Sequence, residues 1–514
     1  MLSSLLIAAL QGASTLPAPP ELLQEHRLSA GVIHAIDIAG QPGLPIQFQV
    51  DLAGEPRMFD LYPNSNRAAN FRVWEVAGDQ WTLVDPGPVK TYTGLSTDGR
   101  MRTWLSFHEG SLSGSFEDLA TGRSYEIEPN RDDAVFDHLI YATEAQRQPE
   151  GRCGLDDIDQ PGRYLTPEPG GYTGGGTTPL KVAELVIDTD FEFYQAQGSS
   201  TSTAQAFIEN VINRVNDDLY NDPLETNDPE IIHEMTDIII RTSSNDPYTS
   251  NNISTTLNQL GSHMQSSAQP NGIRDHAQLF SGKNFGGVLG VAWLNGLCNN
   301  NLEYSVCAIL AIGGLTNRAA LSGHEIGHNW GSDHCSSPQC YVMCPFLGGC
   351  NGLGGDFGPF ALNAINNGKA SKLGCLDDPD GGGDPPTGCS VTQIGLGAGG
   401  SNIATLTSPT TPSLGALLEF NYSGFNGAGS GLLILSLENI NASALGGTIF
   451  PNYQNPANTV SVSTAGNGSG SVSFVLGSNP ILVGLNGYAQ VGIVDSSQPF
   501  NWAFSNGLEF TFCN

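Results

Sequence analysis

His324-Glu325-Ile326-Gly327-His328-Asn329-Trp330-Gly331-Ser332-Asp333-His334 decides how this chain is read. At about 3.6 residues per helical turn, His324 and His328 stand one above the other on one helix face. Two imidazoles so placed can grip one metal ion. Glu325 lies beside the first of them, within reach of a water at that metal. Gly331 can adopt backbone angles closed to residues with a Cβ, so the helix can end there and the chain can turn back. That turn brings His334 round as a third ligand. Three neutral nitrogens with a fourth position left open describe a catalytic zinc rather than a structural one. The short form, H-E-x-x-H, also arises by accident as two solvent-facing histidines. The glycine and the third histidine at fixed offsets argue against that accident.

The rest of the composition sets bounds. A chain of 514 residues has room for two to four domains. Acidic residues outnumber basic ones 51 to 20, for a net charge of -31. Such a surface repels phosphate backbones, which excludes nucleic acid as a natural partner. The charge reads as solubility before it reads as a taste for calcium or cationic substrates. Residues 1–18 read as a secretory signal, an apolar run followed by small residues and prolines, although no Lys or Arg precedes Arg27. Ten cysteines agree with export. No later segment is long and apolar enough to be transmembrane, so the expected product is a soluble, secreted monomer.

Three further regions differ in pattern. Residues 19–160 carry short alternating runs, such as Ile46 to Leu52 and Arg102 to Phe107, and read as a β-rich unit. A Gly/Pro/Thr-rich linker covers 161–179. Residues 180–376 alternate strand and helix patterns. Ala183 to Ile187, Asp237 to Arg241 and Val288 to Trp293 read as strands. Phe207, Ile208, Val211, Ile212, Val215 and Leu219 mark one helix face, and Ser254 to Gln265 another helix. The expectation is an α/β domain whose twisted mixed sheet lies on one side of its helices. After a second linker, 377–388, residues 389–514 are rich in Gly, Ser and Asn. Their short apolar runs suggest an all-β sandwich.

The motif resembles the extended zinc signature of the metzincins, whose methionine turn lies beneath the metal. Tyr341-Val342-Met343-Cys344-Pro345 stands where that turn belongs, with Met343 as its methionine. From residue 20 to 376 the chain is similar to the reprolysin (adamalysin/ADAM-like) group of M12 zinc endopeptidases. Its pieces are Asp275-His276-Ala277-Gln278-Leu279, Gly290 to Cys298 and Gly374-Cys375-Leu376. Thr91-Tyr92-Thr93-Gly94 and Tyr125-Glu126-Ile127-Glu128-Pro129 resemble that group's propeptide. Two departures stand out: Cys335 follows His334 where the group has Asp, and the methionine turn lacks its usual Cys-Ile-Met. The resemblance implies a substrate-binding edge strand at Gly290, Val291, Ala292 and Trp293, and a calcium site at Glu184 and Asp275. Either carboxylate reads equally well as ordinary surface charge.

Arg152-Cys153-Gly154-Leu155-Asp156-Asp157 resembles the cysteine-switch segments of matrix metalloproteinases and ADAM propeptides. A thiolate there would fill the position that water needs; the alternative is a disulfide. The resemblance also implies a Cys298–Cys375 bridge. Cys389 with Cys513 is a second candidate pair, and Cys335, Cys340, Cys344 and Cys350 form disulfides or, less simply, a structural zinc site. The expected activity is peptide-bond hydrolysis of protein or peptide substrates by a zinc-activated water, with Glu325 as general base, in a chain made latent. The competing expectation is a secreted adhesion or matrix-binding protein whose C-terminal β domain is the working part.

Overall fold

The computed structural model describes residues 15–130, 135, 137–147, 151–158, 160, 180–222, 224, 228–266, 274–335, 341–345, 356–378, 391–394, 404–410, 412–413, 417–437, 439–444, 447–451, 458–476, 486–498 and 501–512. The apolar run 1–10, the linker 161–179, most of the linker 377–388, and Cys340, Cys350, Cys389 and Cys513 lie outside these residues. The chain forms two compact units, Met1–Asp377 and Asp378–Asn514. Among the described residues no helix is long and apolar enough to cross a membrane.

The first unit holds an eight-stranded sheet. Its strands are β1 (Arg67–Ala77), β2 (Gln80–Val84), β3 (Arg152–Cys153), β4 (Lys181–Thr189), β5 (Ile231–Arg241), β6 (His276–Phe280), β7 (Val288–Ala292) and β8 (Tyr304–Cys307). Their spatial order is β3-β7-β8-β6-β4-β5-β1-β2. Only β7/β8 and β1/β2 pair antiparallel. The long helices are α1 (Thr201–Arg214), α2 (Ile253–Met264), α3 (Leu315–Asn329) and α4 (Pro359–Ser371). α1 starts at Ser200, whose hydroxyl accepts from the Thr203 N–H, and runs on into a π turn, Val215–Tyr220. That continuation keeps Val215 and Leu219 on the apolar face expected from the sequence.

The central strands are apolar on both sides, as parallel strands covered on both faces must be. Leu185, Ile187, Ile238 and Ile240 pack with Ile208, Ile212, Ile326 and Ile365 of α1, α3 and α4. Val186, Ile239, Ala277 and Val291 pack with Leu257 and Leu260 of α2. Helices therefore cover both faces, not one. The reason is the strand composition: consecutive apolar residues on β4 and β5 leave no face suited to water.

A ten-stranded antiparallel sheet runs Thr15–Pro17, Val32–His34, His138–Ala142, Arg123–Pro129, Ser111–Asp118, Met101–His108, Thr91–Leu95, Glu55–Pro63, Ile46–Leu52, Ile38–Ala39. It encloses its own apolar cluster, which includes Phe48, Phe59, Leu105 and Phe116. Along Met101–His108 the alternation splits burial: Leu105 and Phe107 join that cluster, while Trp104 joins the helices of the α/β sheet. The β1–β2 hairpin leaves the ten-stranded sheet after Glu55–Pro63 and adds to β5 in parallel. Residues before and after 161–179 thus share one sheet.

The second unit is antiparallel β throughout its described strands. A five-stranded and a three-stranded sheet share a core in which Leu418, Phe420 and Tyr422 meet Leu433, Val491, Leu508 and Phe510. That is the arrangement of a β-sandwich.

Candidate metal centre

α3 carries His324, Glu325 and His328, which are 5%, 0% and 0% exposed. The helix begins at Gly314, with φ 74° and no side-chain cap of its own. The cap comes from elsewhere: the Glu126 carboxylate accepts from Leu315 N at 2.7 Å and Thr316 N at 3.2 Å. A negative group at this end also suits the helix dipole. At the other end Gly331 sits at φ 104°. Ser332 N donates to Gly327 O at 3.0 Å and Gly331 N to His328 O at 2.9 Å. This pair of bonds closes a helix through a left-handed residue and sends the chain back toward His334.

The three imidazoles converge. His324 Nε2 and His328 Nε2 are 2.9 Å apart. The His334 ring centroid lies 5.4 Å from that of His324 and 4.9 Å from that of His328. Cys153 Sγ joins them at 3.5 Å from His328 Nε2. One ligand atom from each of Cys153, His324, His328 and His334 lies within 4.8 Å of the others. Tetrahedral zinc, with Zn–N near 2.05 Å and Zn–S near 2.3 Å, would set N···N edges of about 3.3 Å and N···S edges of about 3.6 Å. The donor set and its spacing fit that ion.

Second partners fix the tautomers. His324 Nδ1 donates to Val342 O at 2.7 Å and His328 Nδ1 to Ser332 O at 2.6 Å, so each Nε2 presents a lone pair. Burial, then the neighbouring His334, holds the His324 pKa down to about 3, which keeps the ring neutral. The Val342 carbonyl belongs to the segment that carries Met343. Met343 is fully buried under α3; a Cβ on Gly327 would meet its Sδ at 2.5 Å. A Cys335–Cys344 disulfide ties this segment to the His334 loop.

Glu325 lies over the edge strand. A Cβ on Gly290 would stand 2.2 Å from Glu325 Oε1, so the carboxylate occupies space that only a glycine leaves. Oε1 has no hydrogen-bond partner among the described residues, and Oε2 is 3.7 Å from Cys153 Sγ. Burial pushes the Glu325 pKa up to about 8.

The segment around Cys153 fills a cleft. β3 pairs with β7 in parallel, with Arg152 N on Gly287 O at 3.1 Å and Gly154 N on Gly290 O at 2.8 Å. From the opposite wall Pro345 O accepts from Cys153 N at 3.0 Å. Arg152 closes the loop on Asp157 with two bonds, of 3.0 and 2.8 Å. Gln160, 3% exposed, donates to Ala292 O at 3.0 Å and accepts from Leu294 N at 2.8 Å. Its side-chain amide thus takes two backbone positions of the edge strand, as a peptide group would. The sequence reading missed Gln160. No local pattern marks it; it stands just before the Gly/Pro/Thr stretch.

The other expected residues fall as follows. Gly290, Val291 and Ala292 are in β7, and Trp293 is one residue beyond it, its N–H still bonded to Tyr304 O at 3.2 Å. Glu184 and Asp275 are adjacent, with Glu184 N donating to Asp275 Oδ2 at 2.9 Å. Burial first, then neighbouring acids, raises both carboxyls to about 7. The Cys298–Cys375 bridge is present beside them. Cys153 and Cys307 are free and buried. The alternative of a structural zinc on Cys335, Cys340, Cys344 and Cys350 is corrected: Cys335 and Cys344 are bonded to each other, and a disulfide sulfur is no thiolate ligand.

This site lies where comparison with known families places a peptidase. Residues 179–357 match the family model Reprolysin_5, metallo-peptidase family M12, so this part of the chain is similar to reprolysin-type metallopeptidases.

Proposed function

We propose that the chain is a secreted zinc endopeptidase, made latent, that cleaves protein or peptide substrates with Glu325 as general base. The observation that carries this reading is the convergence of His324, His328 and His334 beside a carboxylate lodged over the edge strand. A zinc ion on these nitrogens supplies Lewis acidity for the scissile carbonyl and lowers the pKa of water to about 7. The carbonyls of Gly290 and Ala292 and the Leu294 N–H offer an extended substrate a pairing edge, which gives affinity with little sequence choice. Glu325 takes the proton of the attacking water through its carboxylate and returns it to the departing amine.

Gly154 and Gln160 occupy those positions in the uncut chain and Cys153 Sγ lies beside the imidazoles, which supports a propeptide ending near 160, followed by cleavage between Gly154 and Leu180. The bridges Cys298–Cys375 and Cys335–Cys344 suit an oxidising compartment and so support export. Glu184 and Asp275 are the residues that would hold calcium, since a divalent cation would relieve their mutual repulsion. The adhesion reading is not favoured, because the family match covers a metallopeptidase domain and Glu325 is intact.

The test measures zinc content and cleavage of denatured protein by the matured chain. Chelation abolishes activity and added zinc restores it; turnover indifferent to chelator would refute the proposal. A second expectation concerns Gly290→Ala. The added methyl displaces Glu325 and lowers kcat by about 10²-fold, the scale of losing a positioned base. KM and zinc content stay near wild type, and a shortened acid, Glu325→Asp, is better tolerated in this background than in the parent. An unchanged kcat would remove the role given to Gly290.

A further inference from the structure

We propose that residues 15–147 are a lasting complement of the metallopeptidase domain. Once the chain is cut on both sides of residues 151–160, they stay bound as a separate polypeptide, and loss of that short arm alone frees the site. The proposal rests on the inhibitory reading of Cys153.

The first argument is the sheet. β1 pairs with β5 from Met235 to Arg241, and β5 is not built to be an edge. Ile238, Ile239 and Ile240 are 0–2% exposed, and Asp237 beside them is 2% exposed. The Asp237 carboxylate is satisfied by Arg72 at 2.8 and 2.9 Å and by Trp74 Nε1 at 2.8 Å, both on β1. Removing the hairpin would bare a strand edge and strand a buried charge.

The second argument is that four other contacts repeat this pattern at different places. Glu209 of α1, 2% exposed, receives Arg67 at 2.8 and 3.1 Å. Trp104, fully buried, sits between the guanidinium groups of Arg102 and Arg214, at 4.7 and 4.4 Å, and donates to Asp217 at 2.7 Å. Arg102 reaches Asp222 at 2.6 Å. Glu126 caps the very helix that carries His324 and His328. Trp104 and Val73 belong to the same apolar cluster as Leu321 and Ile326 of that helix.

The third argument is separability. The inhibitory arm holds the cleft through Arg152, Cys153, Gly154 and Gln160, and none of these takes part in the contacts above. Its ion pairs are exposed: Arg152–Asp157 is internal, with side chains 42% and 37% exposed, and Asp156, 59% exposed, stands 3.8 Å from His334 Nδ1. A short plug, held by a few backbone bonds and one exposed ion pair to His334, sits beside a large, buried, charge-matched interface.

The experiment uses the full chain with a site-specific protease sequence inserted within 148–150 and another within 161–179. After cleavage the material is passed through gel filtration, and each fraction is assayed on denatured protein and displayed on a denaturing gel. The N-terminal fragment co-elutes one-to-one with the remainder in the active fraction, the arm peptide is absent, and urea separates the two only as helicity is lost. Arg67→Ala with Arg72→Ala lowers the urea needed. An N-terminal fragment that elutes alone, leaving an active remainder with an unchanged melting temperature, overturns the proposal. So does activity confined to fractions stripped of it, or an unchanged urea requirement in the double variant. Full activity of the uncut chain would instead defeat the latency reading, with co-elution after cleavage still deciding retention.

Discussion

Replacing Glu325 with Gln leaves a folded, zinc-loaded protein whose hydrolysis of denatured protein falls by about 10²–10⁴-fold, the usual contribution of a positioned base. Gln has the shape of Glu, so the space over Gly290 still accepts it. It cannot take a proton. Glu325 is fully buried, and its Oε1 has no other polar partner among the described residues, so no neighbour stands ready to substitute. The loss falls on kcat, while KM and zinc content hold, because the edge strand and the three imidazoles are untouched. Wild-type-like turnover would contradict the assignment.

Cys153→Ala produces peptidase activity in the uncut chain. The sulfur is 3.5 Å from His328 Nε2 and 3.7 Å from Glu325 Oε2, so under the proposed mechanism it would block both the fourth metal position and the base. Alanine keeps the backbone pairing to Gly290 and Pro345 but frees that position. The arm still lies on the strand, so release is partial. Activity before cleavage rises at least about tenfold, equivalent to ~1.4 kcal/mol of lost occupancy. Adding Gln160→Ala raises it again, since Ala292 O and Leu294 N are then open to substrate. The measurement is turnover by uncut chain, with intactness checked by mass spectrometry. Unchanged latency in both variants would contradict the blocking role.

The helix that carries His324 and His328 was legible because its pattern is local. The spacing of His324 and His328, and a glycine at 331 free to sit at positive φ, are written within eleven consecutive residues. Strands β4, β5 and β7 and helices α1 and α2 were legible from their apolar patterns, whereas β6, His276–Phe280, with polar His276 and Gln278 among its five residues, was not read as a strand. What the sequence could not reveal is pairing at long range. That Arg72 answers Asp237, that Glu126 caps α3, and that Gln160 imitates a peptide all depend on contacts more than a hundred residues apart. Nothing in the local pattern of Arg67–Val84 says that it leaves one sheet to extend another. The apolar alternation of that hairpin fits either partner equally well.

Anomalous diffraction at the zinc absorption edge, from crystals of the uncut chain, tests the central claim most directly. The account predicts one peak about 2.0–2.1 Å from the Nε2 atoms of His324 and His328 and a ring nitrogen of His334, and about 2.3 Å from Cys153 Sγ. A peak elsewhere, or a His334 imidazole turned away from the ion, would contradict it.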